Sequence, residues 1–376
     1  MHCGSADLMF GGAYAGKRVF VTGHTGFKGS WLCLWLERLG AQVHGFSLAP
    51  PTNPSLFEQA DIAARITHTI GDVRDPAALE AALKAGDPQF IFHLAAQPLV
   101  LESYAQPVDT FATNVTGSIN LMEAIRQTGT RAAVVMVTTD KVYLNRETGQ
   151  AYGEDDPLGG HDPYSASKAA MEVAVASWRA SFFAPGKLAQ HGVAIASARA
   201  GNVIGGGDWS ANRIVPDLAR TLAANERPAL RNPQALRPWQ HVLEPLGGYL
   251  WLGAKLAGEQ GARFAEGWNF GPDPDDARTV RDLADAMLAV WGRPGWNDGH
   301  DPAAPHEAGL LRLSIDKAVR ELAWRPVWQF DQTIERTAGW YQAVLERGTA
   351  PRDACMADLE AYLADAAAAG APFAQA

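Results

Sequence analysis

Cysteine is scarce in this chain, whose 376 residues include only Cys3, Cys33 and Cys355. Three thiols at these separations are too few for a disulfide framework, and none lies in a Cys-x-x-Cys or histidine-rich neighbourhood that would indicate zinc. We therefore predict a protein of the reducing cytoplasm with no metal site.

Long apolar runs and an excess of positive charge are also missing. The N-terminus has no basic start followed by an apolar stretch of signal-peptide type, and no run reaches the roughly 18 apolar residues of a membrane span. Lys and Arg number 32 against 41 Asp and Glu, a net charge of −9. Nucleic acids and anionic membranes require a basic field, so both are excluded as general partners, and any phosphate site needs local positive charge.

The composition, 47% apolar and 19% charged, is typical of a folded globular protein. Apolar runs rich in β-branched residues alternate with helix-like segments, which predicts an α/β fold with a doubly wound, mainly parallel sheet of the Rossmann type. Strands are predicted near Arg18–Thr22, Gln42–Phe46, Arg65–Ile70, Gln89–Leu94, Ala132–Val137 and Val193–Ala198, and helices at Phe27–Leu39, Pro76–Ala85, Val108–Gln127 and Tyr164–Phe183.

Proline and glycine interrupt this alternation after about residue 200, which predicts a smaller, loop-rich C-terminal domain that caps the sheet. The predicted division is an N-terminal extension over 1–16, a Rossmann-type domain over 17–202 with a returning segment near 240–270, and the smaller domain mainly over 203–376. The tryptophans crowded into this half are expected to supply large apolar area where regular structure is sparse. The alanine-rich tail over 358–376 is expected to form one or two helical turns and then fray.

Gly23, Gly26 and Gly29 follow the first predicted strand and open a helical segment. Glycines at such a junction allow a tight turn and let a pyrophosphate approach the amides and positive end of the helix. The motif predicts a dinucleotide site, with a merely structural turn as the alternative. The second strand ends in Phe46-Ser47-Leu48, with no acidic residue for ribose and no arginine for a 2′-phosphate, so this motif leaves NAD and NADP open.

Asp72 follows the third predicted strand. It could receive the adenine amino group, or it could be a turn or N-cap aspartate ahead of the helix that begins at Pro76. The sequence gives the two interpretations equal weight.

Tyr164 and Lys168 are four residues apart in a predicted helix, so their side chains share one face. An ammonium beside a phenol stabilises the phenolate and is expected to lower the tyrosine pKa, which would make Tyr164 a general base for a hydroxyl. Thr138-Thr139-Asp140-Lys141 follows a buried strand, at the edge where parallel sheets hold ligands. The alternatives are an exposed helical pair without function and a polar turn.

These motifs, together with HLAAQPLV, RAGNVIGGGDW, RNPQALRPWQHVLEPL and WNFGP, resemble the extended short-chain dehydrogenase/reductases and, more narrowly, the CDP-glucose 4,6-dehydratase family. The matches span roughly residues 17–330. The resemblance implies NAD as cofactor, an NAD-binding role for residues 17–202 and a mainly substrate-binding role for residues 203–376. It also implies an internal redox elimination that converts CDP-glucose into CDP-4-dehydro-6-deoxyglucose and water.

The resemblance also implies roles for individual residues. Tyr164 takes the 4-hydroxyl proton as hydride passes from C4 to NAD⁺, which later returns it to C6, and Lys168 completes the pair. Thr139 hydrogen-bonds the 4-hydroxyl, Asp140 protonates the departing C6 oxygen, and Lys141 serves as the C5 base or stabilises the enolate. Lys141 is a base only when neutral, which requires burial, and an ionised Asp140 beside it opposes that state unless Asp140 is protonated.

Binding residues are implied in the same way. Cofactor contacts are expected at Gly23, Thr25, Gly26, Phe27, Lys28, Gly29, Asp72, Val73, Leu94, Ala95, Ala96, Asn114, Tyr164 and Lys168, and substrate contacts at Gln97, Asn202, Arg213, Arg231, Arg237 and Asn269. His93 is interpreted as a packed histidine at a strand end rather than a catalyst. Leu101 stands where the family usually has arginine, which puts substrate preference in doubt.

Two other functions fit these residues. An epimerase or another nucleotide-sugar dehydratase would share Tyr164 and Lys168, but an epimerase has no use for an acid and a base at C5 and C6. A non-catalytic protein that senses NAD would tolerate loss of either residue, yet both are present. The resemblance implies a homodimer formed through the helices predicted at Val108–Gln127 and Tyr164–Phe183.

Overall fold

The computed structural model describes residues 6–273, 276–299 and 311–375. Its centre is a seven-stranded sheet in the order β12-β7-β5-β4-β1-β2-β3, in which all neighbouring strands run parallel. The strands of the described residues, in chain order, are β1 (Arg18–Thr22), β2 (Gln42–Ser47), β3 (Thr67–Ile70), β4 (Phe90–His93), β5 (Ala133–Val137), β6 (Ala151–Tyr152), β7 (Ala194–Arg199), β8 (Val203–Ile204), β9 (Ala229–Leu230), β10 (Leu236–Arg237), β11 (Gln240–His241), β12 (Gly267–Asn269), β13 (Arg278–Thr279), β14 (Asn297–Asp298) and β15 (Arg312–Leu313).

Helices cover both faces of this sheet. They are α1 (Phe27–Arg38), α2 (Leu56–Gln59), α3 (Pro76–Gly86), α4 (Val100–Ala105), α5 (Pro107–Phe111), α6 (Gly117–Thr128), α7 (Pro163–Ser181), α8 (Leu188–His191), α9 (Ile214–Ala223), α10 (Leu243–Ala257), α11 (Gly261–Phe264), α12 (Val280–Trp291), α13 (Asp316–Leu322), α14 (Phe330–Leu345) and α15 (Pro351–Ala368). The predicted α/β fold with a doubly wound parallel sheet is confirmed.

Alternate residues of each strand supply two separate cores. Val19 and Val21 of β1 pack on the face covered by α1 and α10, whereas Phe20 packs on the face covered by α3, α6 and α7. All five residues of β5 are buried. Strands buried on both faces read as continuous apolar runs, and the six predicted strands accordingly lie within two residues of the observed ends.

The helix predicted at Val108–Gln127 is interrupted. Helix α5 ends at Phe111, a π-helical turn covers Ala112–Thr116, and α6 follows. The turn inserts an extra residue and so changes which side chains face inward. It places Asn114 in the interior beside α7, with no solvent exposure.

The prediction that the tail frays is wrong. Helix α15 runs for 18 residues and buries Leu359, Tyr362 and Leu363. Beyond it, Phe373 is fully buried, stacks on Phe10 at 5.4 Å between ring centroids, and accepts a hydrogen bond from the Phe10 amide at 2.8 Å. The apolar residues at helical spacing fix this tail, although alanine dominates its composition.

The C-terminal tryptophans are packed as expected, and Trp268, Trp324 and Trp328 are among the largest fully buried side chains. The expectation of sparse regular structure around them is wrong, because α9 to α15 lie in this part of the chain. No helix among residues 6–273, 276–299 and 311–375 combines the length and apolar character needed to cross a bilayer.

Candidate active site

A cavity of about 2120 Å³ lies at the carboxyl ends of β1, β2, β4 and β5. Pockets that hold one drug-sized ligand reach roughly 1,000 Å³, so this cavity has room for two ligands side by side. The glycine-rich loop after β1, residues 23–29, forms one wall of the cavity, and residues 200–239 form the opposite wall. All predicted site residues except Asp140, Asn114, Gln97 and Asn269 line it.

The loop after β1 depends on glycine at two positions for its own packing. Gly23 has φ +77°, and a Cβ there would lie 2.6 Å from the Ala95 amide nitrogen. A Cβ at Gly29 would overlap the Gly23 carbonyl oxygen. At Gly26 the nearest atom would be 3.4 Å away, an ordinary contact, so packing within the chain does not require glycine there.

Gly26 is the N-cap of α1, and no side chain caps this helix end. The first amides of a helix have no partner within the helix, and together with the helix dipole they attract anions. Lys28 adds a basic side chain to the cavity wall, and burial together with the charge of Arg213 lowers its pKa to about 7. An open N-cap, free amides and an ammonium fit a dinucleotide pyrophosphate.

Thr25 ties this loop to the end of β2. Its hydroxyl lies 2.9 Å from the Ser47 hydroxyl and donates to the Leu48 carbonyl at 2.9 Å. The Thr25 side chain therefore shapes the wall through contacts within the chain. Leu48 itself lines the cavity and is about half exposed, although the sequence analysis did not include it.

Asp72 is a turn aspartate. Its carboxylate accepts hydrogen bonds from the Arg74 amide at 2.8 Å and from the Arg74 guanidinium at 2.6 and 2.9 Å, and the pKa of Asp72 is lowered by these bonds. The N-cap of α3 is Asp75, which accepts from the amides of Ala77 and Ala78. Asp72 also lines the cavity, so it combines the turn role with a position at the predicted adenine end.

His93 at the end of β4 is a packing residue, as interpreted from the sequence. It is fully buried, and its ring nitrogens lie 2.7 Å from the Thr22 hydroxyl and 2.9 Å from the Ser118 hydroxyl. Burial lowers its pKa to about 3, so it is neutral. The Thr22 hydroxyl also accepts from the Ala95 amide at 3.2 Å, so this series of hydrogen bonds fixes the backbone that faces the cavity.

Three predicted binding residues lie behind the cavity wall and bond to the chain itself. Asn114 accepts from the Gln97 amide at 2.8 Å and donates to the Ser167 hydroxyl at 2.8 Å. The Gln97 side chain donates to Leu99 and Thr110 and accepts from the Leu99 amide. Asn269 accepts from the Tyr143 hydroxyl at 2.7 Å and donates to two carbonyls. These three side chains therefore support the site through bonds within the chain, and their predicted contacts with ligands stay predictions.

Helix α7 carries Tyr164 and Lys168 into the cavity. The helix begins where Asp162 caps it by accepting from the Ser165 amide at 2.9 Å, with Pro163 in its first turn. Both functional side chains are buried, and the Lys168 ammonium donates to the Val137 carbonyl at 3.2 Å. Burial lowers the pKa of Lys168 to about 8, while the charge of Glu172 opposes this.

The expectation that Lys168 lowers the pKa of Tyr164 is not met. Burial, the largest influence, raises the pKa of Tyr164 above its ordinary value. The charge of Lys141 and hydrogen bonding with Thr139 act in the opposite direction. The charge of Arg213 also lowers this pKa, so the groups that favour the phenolate come from the turn after β5 and from the opposite wall of the cavity.

That turn brings the predicted acid and base together. Asp140 is fully buried, and its carboxylate accepts from the Thr139 hydroxyl at 2.9 Å, the Lys141 ammonium at 3.1 Å and the Asn202 amide at 3.3 Å. The Lys141 side chain is 31% exposed, so the burial expected for a neutral amine is only partial.

The opposite wall supplies further positive charge. Arg213, at the N-cap of α9, donates to the Asp208 carboxylate at 2.9 Å. Arg231 donates to the Asn212 carbonyl and Arg237 to the Leu236 carbonyl, and all three arginines line the cavity. An acidic protein thus concentrates cations where two phosphorylated ligands would lie.

Substituting Gly29 by alanine tests the loop geometry. The new Cβ would overlap the Gly23 carbonyl, so the loop has to move, and we expect cofactor affinity to fall about tenfold to a hundredfold. Affinity is measured by titrating the protein with NAD⁺ and following tryptophan fluorescence. Gly339→Ala in α14 is the matched control, because no atom outside the adjoining backbone of its own helix lies within 4 Å of the added Cβ. Unchanged affinity in Gly29→Ala would contradict the assignment.

Comparisons with known proteins agree with this architecture. The model of the NAD dependent epimerase/dehydratase family matches residues 19–264. The chain is 49% identical over 332 residues to CDP-glucose 4,6-dehydratase of Salmonella typhimurium, covering 88% of this chain and 92% of that protein. It is 31% identical over 280 residues to dTDP-glucose 4,6-dehydratase of Streptomyces antibioticus, covering 74% and 76%.

Solved structures show the same fold. The dTDP-glucose 4,6-dehydratase of Streptomyces venezuelae with NAD and TYD bound superposes with a TM-score of 0.71 at 25% identity, covering 88% of this chain and 98% of that one. The UDP-glucose 4-epimerase of Thermus thermophilus in complex with NAD gives 0.73 at 25% identity, covering 86% and 99%. On its sequence, its sheet and its cavity, the chain belongs to the NAD dependent epimerase/dehydratase family.

Proposed function

We propose that this protein is an NAD-dependent CDP-glucose 4,6-dehydratase. The observation that carries the proposal is the Asp140–Lys141 pair, 3.1 Å apart, on the turn that also presents Thr139 towards Tyr164. A carboxyl group and an amine in one turn supply an acid and a base, which elimination of water requires. The identity with the Salmonella enzyme supports the same assignment.

The first step removes a proton and a hydride from C4 of the sugar. Tyr164 accepts the 4-hydroxyl proton as the phenolate, a form that the charge of Arg213 favours against the effect of burial on the Tyr164 pKa. Thr139 orients that hydroxyl, and Lys168 stays fixed through the Val137 carbonyl. NAD⁺, held by the loop after β1 and by the Tyr164–Lys168 side of the cavity, would supply a hydride acceptor for C4 and a hydride donor for C6, so no cofactor would be consumed overall.

The second step is loss of water across C5 and C6. A ketone at C4 acidifies the C5 hydrogen, which the neutral Lys141 amine removes, while protonated Asp140 gives its proton to the departing C6 hydroxyl. Afterwards Lys141 is an ammonium and Asp140 a carboxylate, the ion pair seen in the structure. Transfer of one proton from Lys141 Nζ to Asp140 Oδ1 restores the acid and the base.

The base preference of the substrate is tested by turnover. Purified protein is incubated with NAD⁺ and, in separate reactions, CDP-, TDP-, UDP- and GDP-glucose, and the 4-keto sugar is followed by its absorbance in alkali. Turnover of CDP-glucose alone supports the proposal. Turnover of another nucleotide sugar, or epimerised product without water loss, would replace it with the related dehydratase or epimerase activity. NAD binding without any turnover would favour the sensing protein.

We also propose that the protein is a homodimer in the cytoplasm. Free thiols at Cys33 and Cys355 suit a reducing compartment. Helices α5 and α7 pack together and expose Val108, 80% accessible, and Val173, 59% accessible. A second copy related by twofold symmetry would cover this apolar surface with the same surface of its own.

Light scattering tests the dimer. We expect twice the mass of one chain for the wild type, and a concentration-dependent shift to one chain mass for Val108→Glu, because an unpaired carboxylate would be buried in the interface. Leu345→Glu is the control, since Leu345 is also an exposed apolar residue but lies on α14. A wild-type mass equal to one chain would refute the proposal.

A further inference from the structure

Glu172 is a buried carboxylate that the reaction scheme does not use. It lies on α7, one helical turn after Lys168, and only 3% of it is exposed. It is absent from the cavity wall, so it does not touch a ligand there. An ionised group at such a position is costly unless it is fully bonded.

Both oxygens of Glu172 are saturated by donors. One accepts from the Thr138 hydroxyl at 2.6 Å and from Arg199 Nε at 2.9 Å, and the other accepts from the Ser197 hydroxyl at 2.6 Å and from Arg199 Nη2 at 3.1 Å. The Glu172–Arg199 pair is a salt bridge with both side chains buried, 3% and 6% exposed.

Arg199 extends this contact to the far side of the catalytic turn. Its Nη1 donates to the Tyr143 hydroxyl at 2.8 Å, and its guanidinium lies 5.1 Å from the centroid of the Tyr143 ring. Tyr143 in turn donates to Asn269 on β12 at 2.7 Å. Arg199 lies on β7 and Asn269 lies on β12, so this network is anchored to two strands of the central sheet.

The catalytic turn is thus held at both ends by one carboxylate. Thr138 immediately precedes Thr139, and Tyr143 immediately follows the short 3-10 helix Asp140–Val142. Thr138 bonds directly to Glu172, and Tyr143 bonds to it through Arg199. The same helix carries Tyr164 and Lys168, so this network joins the oxidation residues to the elimination residues.

We propose that Glu172 is a positioning residue that holds the Thr139–Asp140–Lys141 turn in register with the Tyr164–Lys168 helix. The proposal rests on the proposed dehydratase function. Its second effect is electrostatic, because the negative charge of Glu172 supports the ammonium form of Lys168 and opposes the effect of burial on the Lys168 pKa.

Three variants separate positioning from general stability. Glu172→Gln removes the negative charge but leaves the buried Arg199 without a counterion, so it also lowers the free energy of unfolding. Thr138→Val removes one donor to Glu172 and leaves the buried ion pair whole. Tyr143→Phe removes the hydroxyl that accepts from Arg199 at the other end of the turn and also leaves the ion pair whole. Glu123→Gln is the control, because Glu123 forms a similar two-bond pair with Arg126 on the exposed surface of α6.

For CDP-glucose turnover we expect kcat of Glu172→Gln to fall roughly a hundredfold, since misplacement of reacting groups by about 1 Å costs that much. Thr138→Val and Tyr143→Phe should lose about tenfold each, with KM and NAD affinity within about threefold of wild type. Reduced cofactor should accumulate in single turnovers, because the loosened turn carries the elimination groups. Wild-type kcat in Thr138→Val and Tyr143→Phe would overturn the proposal, even if Glu172→Gln failed to fold.

Hydrogen–deuterium exchange provides a readout that needs no substrate. In NAD-loaded protein, the amides of residues 138–143 should exchange faster in Glu172→Gln and Thr138→Val than in the wild type, while the amides of α7 should exchange at the wild-type rate. The control Glu123→Gln should match the wild type throughout. Equal exchange in all four proteins would refute positioning. An inactive wild type with this exchange pattern would refute the dehydratase assignment and leave the positioning intact, so the two failures are distinct.

Discussion

Replacement of Tyr164 by phenylalanine is expected to lower kcat by a factor of about 10²–10⁴, the usual contribution of a general base. The change removes one oxygen and leaves the ring in its buried site, so folding and NAD affinity should stay close to wild type. Steady-state kinetics with CDP-glucose, fluorescence titration with NAD⁺ and thermal unfolding measure the three quantities.

The loss in Tyr164→Phe should occur at oxidation, the first chemical step. In a single turnover no reduced cofactor should form, because the 4-hydroxyl proton has no acceptor when hydride leaves C4. Tyr104→Phe is a suitable control, since Tyr104 is exposed on α4 and lies outside the cavity wall. Wild-type turnover in Tyr164→Phe would mean that another group accepts the proton.

Fold prediction succeeded where a local pattern determines the structure. The continuous apolar runs of β1 and β5 reflect burial on both faces, and a strand of that kind differs clearly from its flanking helices. The prediction for the tail failed because alanine dominates its composition and only a few residues, such as Tyr362 and Phe373, are large. Their burial depends on Phe10 from the other end of the chain. No local window contains that contact.

Site prediction followed the same division. Gly23 and Gly29 indicate the loop in the sequence because the atoms that exclude a larger side chain there are local. They belong to sequence neighbours or to the end of the adjacent strand. Amide side chains were harder, because a motif fixes where the backbone of Gln97 or Asn269 lies but not which way the side chain turns. Each has enough donors and acceptors to bond either a ligand or the chain, and both bond the chain.

The Glu172–Arg199 pair is beyond sequence reasoning for a topological reason. The two residues are 27 positions apart and meet because β7 pairs with β5 while α7 covers that face. The one local signal was available, since Glu172 follows Lys168 by four residues and therefore shares its side of the helix. Its partner could be found only once the strand order was known.

Lys141→Ala is expected to separate the two halves of the reaction. The variant keeps Tyr164 and Lys168, so oxidation at C4 still occurs, but more slowly, because the charge of Lys141 favours the Tyr164 phenolate. It lacks the amine that removes the C5 proton or steadies the enolate. Elimination should slow by about 10²–10⁴, and reduced cofactor should accumulate with the 4-keto sugar, visible as near-ultraviolet absorbance. In the wild-type enzyme, reduced cofactor should be seen only transiently and in small amount.

The control for Lys141→Ala is Lys84→Ala, which removes an exposed lysine paired with Glu80 on α3. Exchange of the C5 hydrogen with solvent deuterium distinguishes the two roles proposed for Lys141. A base is required for exchange, so loss of exchange in the variant assigns the proton transfer to Lys141 itself. Retained exchange with blocked water loss would instead assign it to electrostatic support of the enolate, and normal turnover would remove Lys141 from the mechanism. Thr139 and Asn202 also donate to Asp140, so removal of the Lys141 amine leaves this carboxyl group two of its three donors.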